Sequence, residues 1–171
     1  NLDRLLSREP MPGKSEYTVK RGDNLISIMK GTKTTMEFLS QVNDVMSTRL
    51  QVGQRLVVCA LDEFSVVVNL TTAKVELRQN DLFFAEFDLE GVRFPPGTPK
   101  SFDTTVKGKS AFADGKALTF DDPGFSRAEK QIGTARPGVA IRNPPASTGG
   151  PEDAYQTGIF LAPSDVEELY I

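Results

Sequence analysis

The stretch Tyr17–Val58 limits what this chain can fold into more tightly than any other. Tyr17-Thr18-Val19-Lys20 alternates and predicts a strand. Arg21-Gly22-Asp23 predicts a turn, after which Asp23 or Asn24 can accept hydrogen bonds from the first free amides of a helix. Leu25, Ile28 and Met29 recur at i, i+3 and i+4, and Gly31 can end that helix. Thr34 and Glu37 stand at capping-box spacing before a second helix, whose Phe38, Leu39 and Val42 share a face and which Asn43 can close. Leu50, Val52, a Gly53-Gln54 turn and Leu56-Val57-Val58 predict a return strand. Caps, turns and periodicity all point to strand, helix, helix, strand.

The residues Tyr17-Thr18-Val19-Lys20, Gly22-Asp23, Leu25, Ile28, Leu39, Asn43, Leu50, Gly53-Gln54 and Leu56 resemble a LysM domain, with Asn24 where Thr or Ser is usual. The resemblance implies binding of polymers that contain N-acetylglucosamine, such as peptidoglycan or chitin. It places the sugar in a shallow groove between two loops. Gly22, Asp23, Asn24 and Leu25 would form one side, and Asn43, Asp44, Val45 and Met46 the other. Backbone amides and carbonyls would meet the N-acetyl group, and Leu25, Val45 or Met46 its methyl and the ring faces. The competing reading is that these residues serve only caps and turns, which for Gly22 and Asn43 is sufficient in itself. A groove with so few anchors should bind weakly alone and gain from repetition or a second contact surface.

The next constraint is an absence. The 171 residues include one cysteine, Cys59, and no histidine. An intrachain disulfide cannot form, a zinc site with the usual His and Cys ligands is not expected, and no Cys/His or Ser/His nucleophile–base pair can be built. Cys59 continues an apolar strand and reads as a buried, inert thiol. No metal and no cofactor is expected. A net charge of −3 gives no reason to expect nucleic acid as a partner. No apolar run approaches the ~18 residues of a membrane span. Residue 1 is Asn and no signal peptide is visible, so a mature or cut chain is expected, with any targeting segment removed.

On either side of the first module the pattern changes. Leu2, Leu5 and Leu6 predict a short helical arm that Pro10, Pro12 and Gly13 break. From Phe64 onward the chain reads as β. Phe64–Leu70 is nearly continuous in apolar residues and predicts a buried strand; Val75–Arg78 alternates; Asn80-Asp81 predicts a hairpin turn. Leu82–Leu89 is expected to place Phe83, Ala85, Phe87 and Leu89 on one face. Ala111–Ala113 and Ala117–Phe120 predict strands around Asp114-Gly115-Lys116, and Ser126–Gln131 could form a helical turn or two. Residues 146–154 form a Ser/Thr/Gly/Pro-rich loop in which Glu152 and Asp153 are expected to be solvated.

Gln156–Tyr170 predicts a short apolar strand, a turn at Pro163 and a helix that Ser164 or Asp165 can cap. Ile159, Leu161 and the run Asp165-Val166-Glu167-Glu168-Leu169-Tyr170 resemble the active-site segment of L,D-transpeptidases, the YkuD-type enzymes that cross-link peptidoglycan stem peptides. Thr98-Pro99 and Phe102 are similar to a segment that walls the substrate cleft in that family, with Ser101 in place of a glycine. Anchored on Leu161, the family's cysteine falls at Gly158, a histidine at Gln156, a serine at Tyr155 and an arginine at Phe160, while Arg142 takes the place of the other histidine. The resemblance implies the fold and argues against the reaction, because no thiolate and no base remain. Nearby hydroxyls on Ser147, Thr148, Tyr155 and Thr157 have no plausible adjacent base. The chain ends soon after Tyr170, where members of that family usually add a strand, so truncation or an early end is expected.

The expected class is α+β: a helical arm at 1–14, a small βααβ LysM module at 15–59, and a mainly β, degenerate L,D-transpeptidase-like domain at 61–171. The expected function is non-catalytic binding of peptidoglycan or another GlcNAc-containing glycan in a bacterial envelope or periplasm. The alternatives are an active transpeptidase with atypical residues and an interaction scaffold that no longer binds glycan.

Overall fold

The computed structural model describes residues 2–45, 50–145 and 156–171. The chain divides into two compact units. One comprises Asn1–Val67, Glu76–Ala85 and Ile171, the other Val68–Val75 and Glu86–Tyr170.

In the first unit, strands β1 (Lys14–Thr18) and β2 (Arg55–Cys59) pair antiparallel, with Tyr17 opposite Leu56. Helices α2 (Leu25–Thr32) and α3 (Met36–Asn43) lie between them in sequence, after the short α1 (Leu2–Leu5). Val19, Leu25, Ile28, Leu39, Val45, Leu56 and Val58 close one core, edged by Tyr17, Met29, Met36 and Leu50. Each fully buried aliphatic side chain there contributes about 1.5–3 kcal/mol against leaving it exposed.

The helix ends differ from expectation by a residue or two. Gly31 lies inside α2, and Lys33, at φ 57, forms its left-handed C-cap. Thr35 rather than Thr34 caps α3 and accepts from the Phe38 amide. The Thr34 side chain is buried instead, with its hydroxyl unpartnered. The first strand runs over Lys14–Thr18 rather than Tyr17–Lys20, because the partner strand extends to Cys59 opposite Lys14. The N-terminal arm is gathered on the Lys14 ammonium, which donates to the carbonyls of Arg4, Ser7 and Glu9, the second at 2.7 Å.

A meander of β3 (Phe64–Asn69), β4 (Lys74–Gln79) and β5 (Leu82–Asp88) follows, in the order β3-β4-β5. The turn at Asn80-Asp81 has positive φ at both residues, the twist a tight hairpin requires. Two expectations fail here. β3 is an edge strand whose Ser65, Val66 and Val67 are exposed, so its apolar run does not mark a buried centre. In β5 the buried residues are Phe84 and Phe87, while Phe83 is exposed. Strict alternation would have placed 83 and 87 together, but Phe84 is drawn in by an edge-to-face contact with Phe64 at 5.1 Å.

The second unit is built on a six-stranded sheet. It uses β6 (Gly91–Arg93), β7 (Val106–Ala113), β8 (Lys116–Leu118), β9 (Glu129–Thr134), β10 (Ala140–Arg142) and β11 (Gly158–Phe160), in the order β6-β11-β10-β9-β7-β8. Only β10 and β11 are parallel among the described pairs, with Ile141 opposite Ile159 and Arg142 opposite Phe160. Ser126–Gln131 is not helical as a whole. A single 3-10 turn at Phe125–Arg127 leads into β9. Helix α4 (Pro163–Tyr170) packs on β9 and β10, burying Val166 and Tyr170. Pro163 is its first residue, where a missing N–H costs nothing, and Ala162 supplies the first carbonyl to Val166. Ser164 and Asp165 therefore lie inside the helix and do not cap it. The Lys130 side chain, 4% exposed, reaches Glu167 of α4 at 2.5 Å and sits 4.9 Å from the Phe125 ring centre.

Candidate functional site

Two loops of the first unit carry the residues singled out in the sequence. In the loop before α2, Gly22 takes φ 92, a left-handed conformation that favours glycine. Asp23 turns inward. Its Oδ2 accepts from the Lys20 amide at 2.7 Å and from the Tyr17 hydroxyl at 2.8 Å. The Lys20 amide, followed by the Tyr17 hydroxyl, holds the Asp23 carboxyl below its ordinary range, and the same bond raises the Tyr17 phenol. Asn24 caps α2: its Oδ1 accepts from Ser27 N at 2.9 Å, and Ser27 Oγ accepts from Asn24 N at 3.1 Å. The substitution of Asn for Thr or Ser thus keeps a complete capping box. Leu25 is buried in the core.

On the other side, Asn43 spans from α3 to β2. Its Nδ2 donates to Val57 O at 2.8 Å and Leu39 O at 3.1 Å, and its Oδ1 accepts from Val57 N at 2.7 Å. Asp44 is exposed in a left-handed C-cap at φ 53, and Val45 is buried in the core. Met46 lies outside the described residues. The loop before β2 is pinned beside Val19, which exchanges hydrogen bonds of 2.8 Å with Gln54 O and Gly53 N.

The groove candidates thus divide. Asp23, Asn24 and Asn43 commit their side chains to loop and cap geometry, Leu25 and Val45 commit theirs to the core, and Gly22 and Asp44 remain on the surface. Sequence reasoning passed over Ile26, which is 60% exposed directly behind the Asn24 cap. Its signal was an apolar residue out of phase with Leu25, Ile28 and Met29. Val52, read with the return strand in the sequence, instead stands 69% exposed in the loop before β2, which begins at Arg55.

Residues 17–58 match the LysM domain. The match covers a quarter of the chain and spans both loops of this module. No curated protein matches the chain.

The LysM module's loop carries a measurable charge signature. Because Asp23 is depressed in the folded state, its contribution to stability is present above the ordinary aspartate value of about 3.9 and is lost as pH falls through the lower folded value. A carbon-detected NMR titration is expected to place the Asp23 inflection below that of an ordinary aspartate, and Asp23→Asn to flatten the acid limb of the unfolding profile. An inflection at or above the ordinary value would contradict the two hydrogen bonds.

The positions that match transpeptidase residues by resemblance are all in the second unit. Gly158 opens β11 and is buried. A Cβ there would stand 2.9 Å from the Ala140 carbonyl oxygen and 3.2 Å from Arg142 Cδ. Gln156 Oε1 and Asn143 Oδ1 are buried and find no hydrogen-bond partner. Phe160 is buried; Ser147, Thr148, Glu152, Asp153 and Tyr155 lie outside the described residues. Cys59 is buried in β2, and burial pushes its thiol up, outweighing the Lys14 ammonium that favours thiolate. Among the described residues no group of His, Cys, Asp and Glu is placed to hold a metal, and no helix is long and apolar enough to cross a membrane.

Proposed function

We propose that the protein binds peptidoglycan or another GlcNAc-containing glycan through its LysM module, in the envelope of a bacterium, and does so without catalysis. The observation that carries this reading is the LysM match over residues 17–58, together with a closed core beside which Gly22, Asn24 and Asp44 stand exposed. The glycan would lie along Gly22–Leu25 on one side and Asn43–Met46 on the other. Because Leu25 and Val45 point into the core, their backbone groups would meet the N-acetyl substituent. Asp44 and the exposed Ile26 would supply the side-chain contacts, a hydrogen bond and an apolar face respectively.

Residues 61–171 would then act as a transpeptidase-like domain kept for binding or scaffolding, with Arg142 and Gln156 in place of titratable catalytic groups. The buried Gly158, which has no room for a Cβ, supports that reading over an active enzyme. Sedimentation of the full chain with purified peptidoglycan and with chitin tests the glycan reading. The protein should pellet with at least one polymer, and Ile26→Ala should weaken retention about three- to tenfold without changing the melting transition, the effect of one lost apolar contact. Failure to pellet with either polymer would overturn the glycan reading and favour the scaffold.

A further inference from the structure

The second unit holds a groove that the glycan reading does not use. It lies between the chain entering β7 and the β9–β10 turn, is open to solvent, and measures about 490 Å³. Asp103, Thr104 and Thr105 line one side, and Ala135, Arg136 and Pro137 the other.

Its walls are fixed by short-range bonds. Ala135 N donates to Thr105 O at 2.8 Å and joins the two segments. Within the turn, Thr134 Oγ1 donates to Val139 O at 2.8 Å, and Arg136 N donates to Thr134 Oγ1 at 3.2 Å. Gly138 completes the turn at φ 70, and a Cβ there would lie 2.5 Å from Pro95 Cγ, so the turn is seated tightly on the Pro95 segment.

Arg136 is the unusual member. Its guanidinium carbon stands 4.4 Å from the centre of the Phe102 ring, which is itself held edge-to-face by Phe94 at 5.8 Å. No carboxylate among the described residues forms an ion pair with it. A guanidinium stacked on an aromatic face loses rotational freedom yet keeps its N–H edge, the geometry that grips a carboxylate with two parallel bonds. The groove therefore offers one cation held in place, one carboxylate at Asp103 and two hydroxyls at Thr104 and Thr105.

We propose that this groove binds the carboxylate of a free amino acid or a short peptide. Arg136 takes the carboxylate, the two threonine hydroxyls take flanking polar groups, and Asp103 takes an ammonium where the ligand has one. The site is independent of the LysM module, so glycan binding can fail while this holds, and the reverse.

The test is an amide NMR titration of the full chain with alanine, alanyl-alanine, alanyl-alanine amide and inorganic phosphate, each to ~20 mM, a range suited to millimolar affinity. Either alanine or the dipeptide acid should shift the amides of Asp103, Thr104, Thr105, Ala135 and Arg136 saturably. The one that binds tighter tells a free amino acid from a peptide terminus. The dipeptide amide should bind at least about tenfold more weakly than the acid, the loss of one charge-assisted pair. Arg136→Gln should abolish the shifts while leaving the rest of the spectrum in place, and Phe102→Leu should weaken them. If Arg136→Gln misfolds, Arg136→Lys keeps the charge, loses the two-bond grip and should still weaken binding. No shift with either alanine or the dipeptide, equal binding of acid and amide, or phosphate binding more tightly than both would overturn the proposal.

Discussion

Asn43→Ala is expected to destabilise the LysM module by about 2–4 kcal/mol, a large loss for one half-buried polar residue. The side chain satisfies both backbone groups of Val57 and the Leu39 carbonyl. Its removal strands a half-buried N–H and C=O on β2, each costing about 1–3 kcal/mol when nothing replaces the partner. Asn43→Asp keeps the acceptor and loses both donors, so it should be destabilising as well. Urea unfolding followed by an amide probe in β2 measures the change. Because the Asn43 side chain is committed to Val57 and Leu39 and only its main chain would border the glycan, polymer sedimentation corrected for the folded fraction should change little with Asn43→Ala. If binding instead falls with stability intact, Asn43 contacts the sugar and its bridging role is secondary.

The second large effect is at Gly158. Gly158→Cys places a thiol where the resemblance to L,D-transpeptidases puts the nucleophile, yet it should yield a less stable protein with no acylation. The new Cβ would sit 2.9 Å from a backbone oxygen, closer than real Cβ contacts come, while the Arg142 stem beside it could yield. Backbone adjustment of this kind costs about 1–3 kcal/mol. Nor does the chain contain a histidine to form the thiolate. Thermal unfolding should show the loss, and intact mass after incubation with a muropeptide donor should show no adduct. A stable variant that gains acyl mass would revive the enzyme reading, since it would mean that this position can accommodate and activate a nucleophile.

The LysM module was legible because its signals are local. Asn24 caps with Ser27 three residues on, and the face of Phe38, Leu39 and Val42 is buried as its period predicts. The misreadings of its helices are shifts of one or two residues at Gly31 and Thr34, where several polar residues compete to end or start a helix, and its first strand lies three residues earlier than expected because its partner reaches Cys59. The β region was less legible because its burial is decided by partners far along the chain. Val66 and Val67 look central by composition but stand on an edge, and Phe84 overrides alternation because Phe64 pulls it inward. The parallel pairing of β10 with β11 has no local signal at all. Among the glycan candidates, residue type could not tell that Leu25 and Val45 face the core while Ile26 faces solvent. The groove around Arg136 was invisible for the same reason as the sheet order: Phe102 and Arg136 meet only once the segment entering β7 and the β9–β10 turn are brought together.

The way the N-terminal arm is fastened bears on how this protein can vary and be modified. Lys14 holds the arm by the main-chain oxygens of residues 4, 7 and 9, which every amino acid presents alike. The bonds to Lys14 therefore do not depend on which side chains stand at those three positions, whereas the arm's own shape does, through the contacts of Arg4 with Pro10 and Glu9 and of Ser7 with the Glu9 amide, and its attachment also needs Leu5 to stay apolar enough to be buried. The polar part of the fastening is correspondingly concentrated in one nitrogen. Acetylation of Lys14, which removes the charge and most of its donors, would strip all three of these bonds in a single chemical step and leave the arm held by the burial of Leu5.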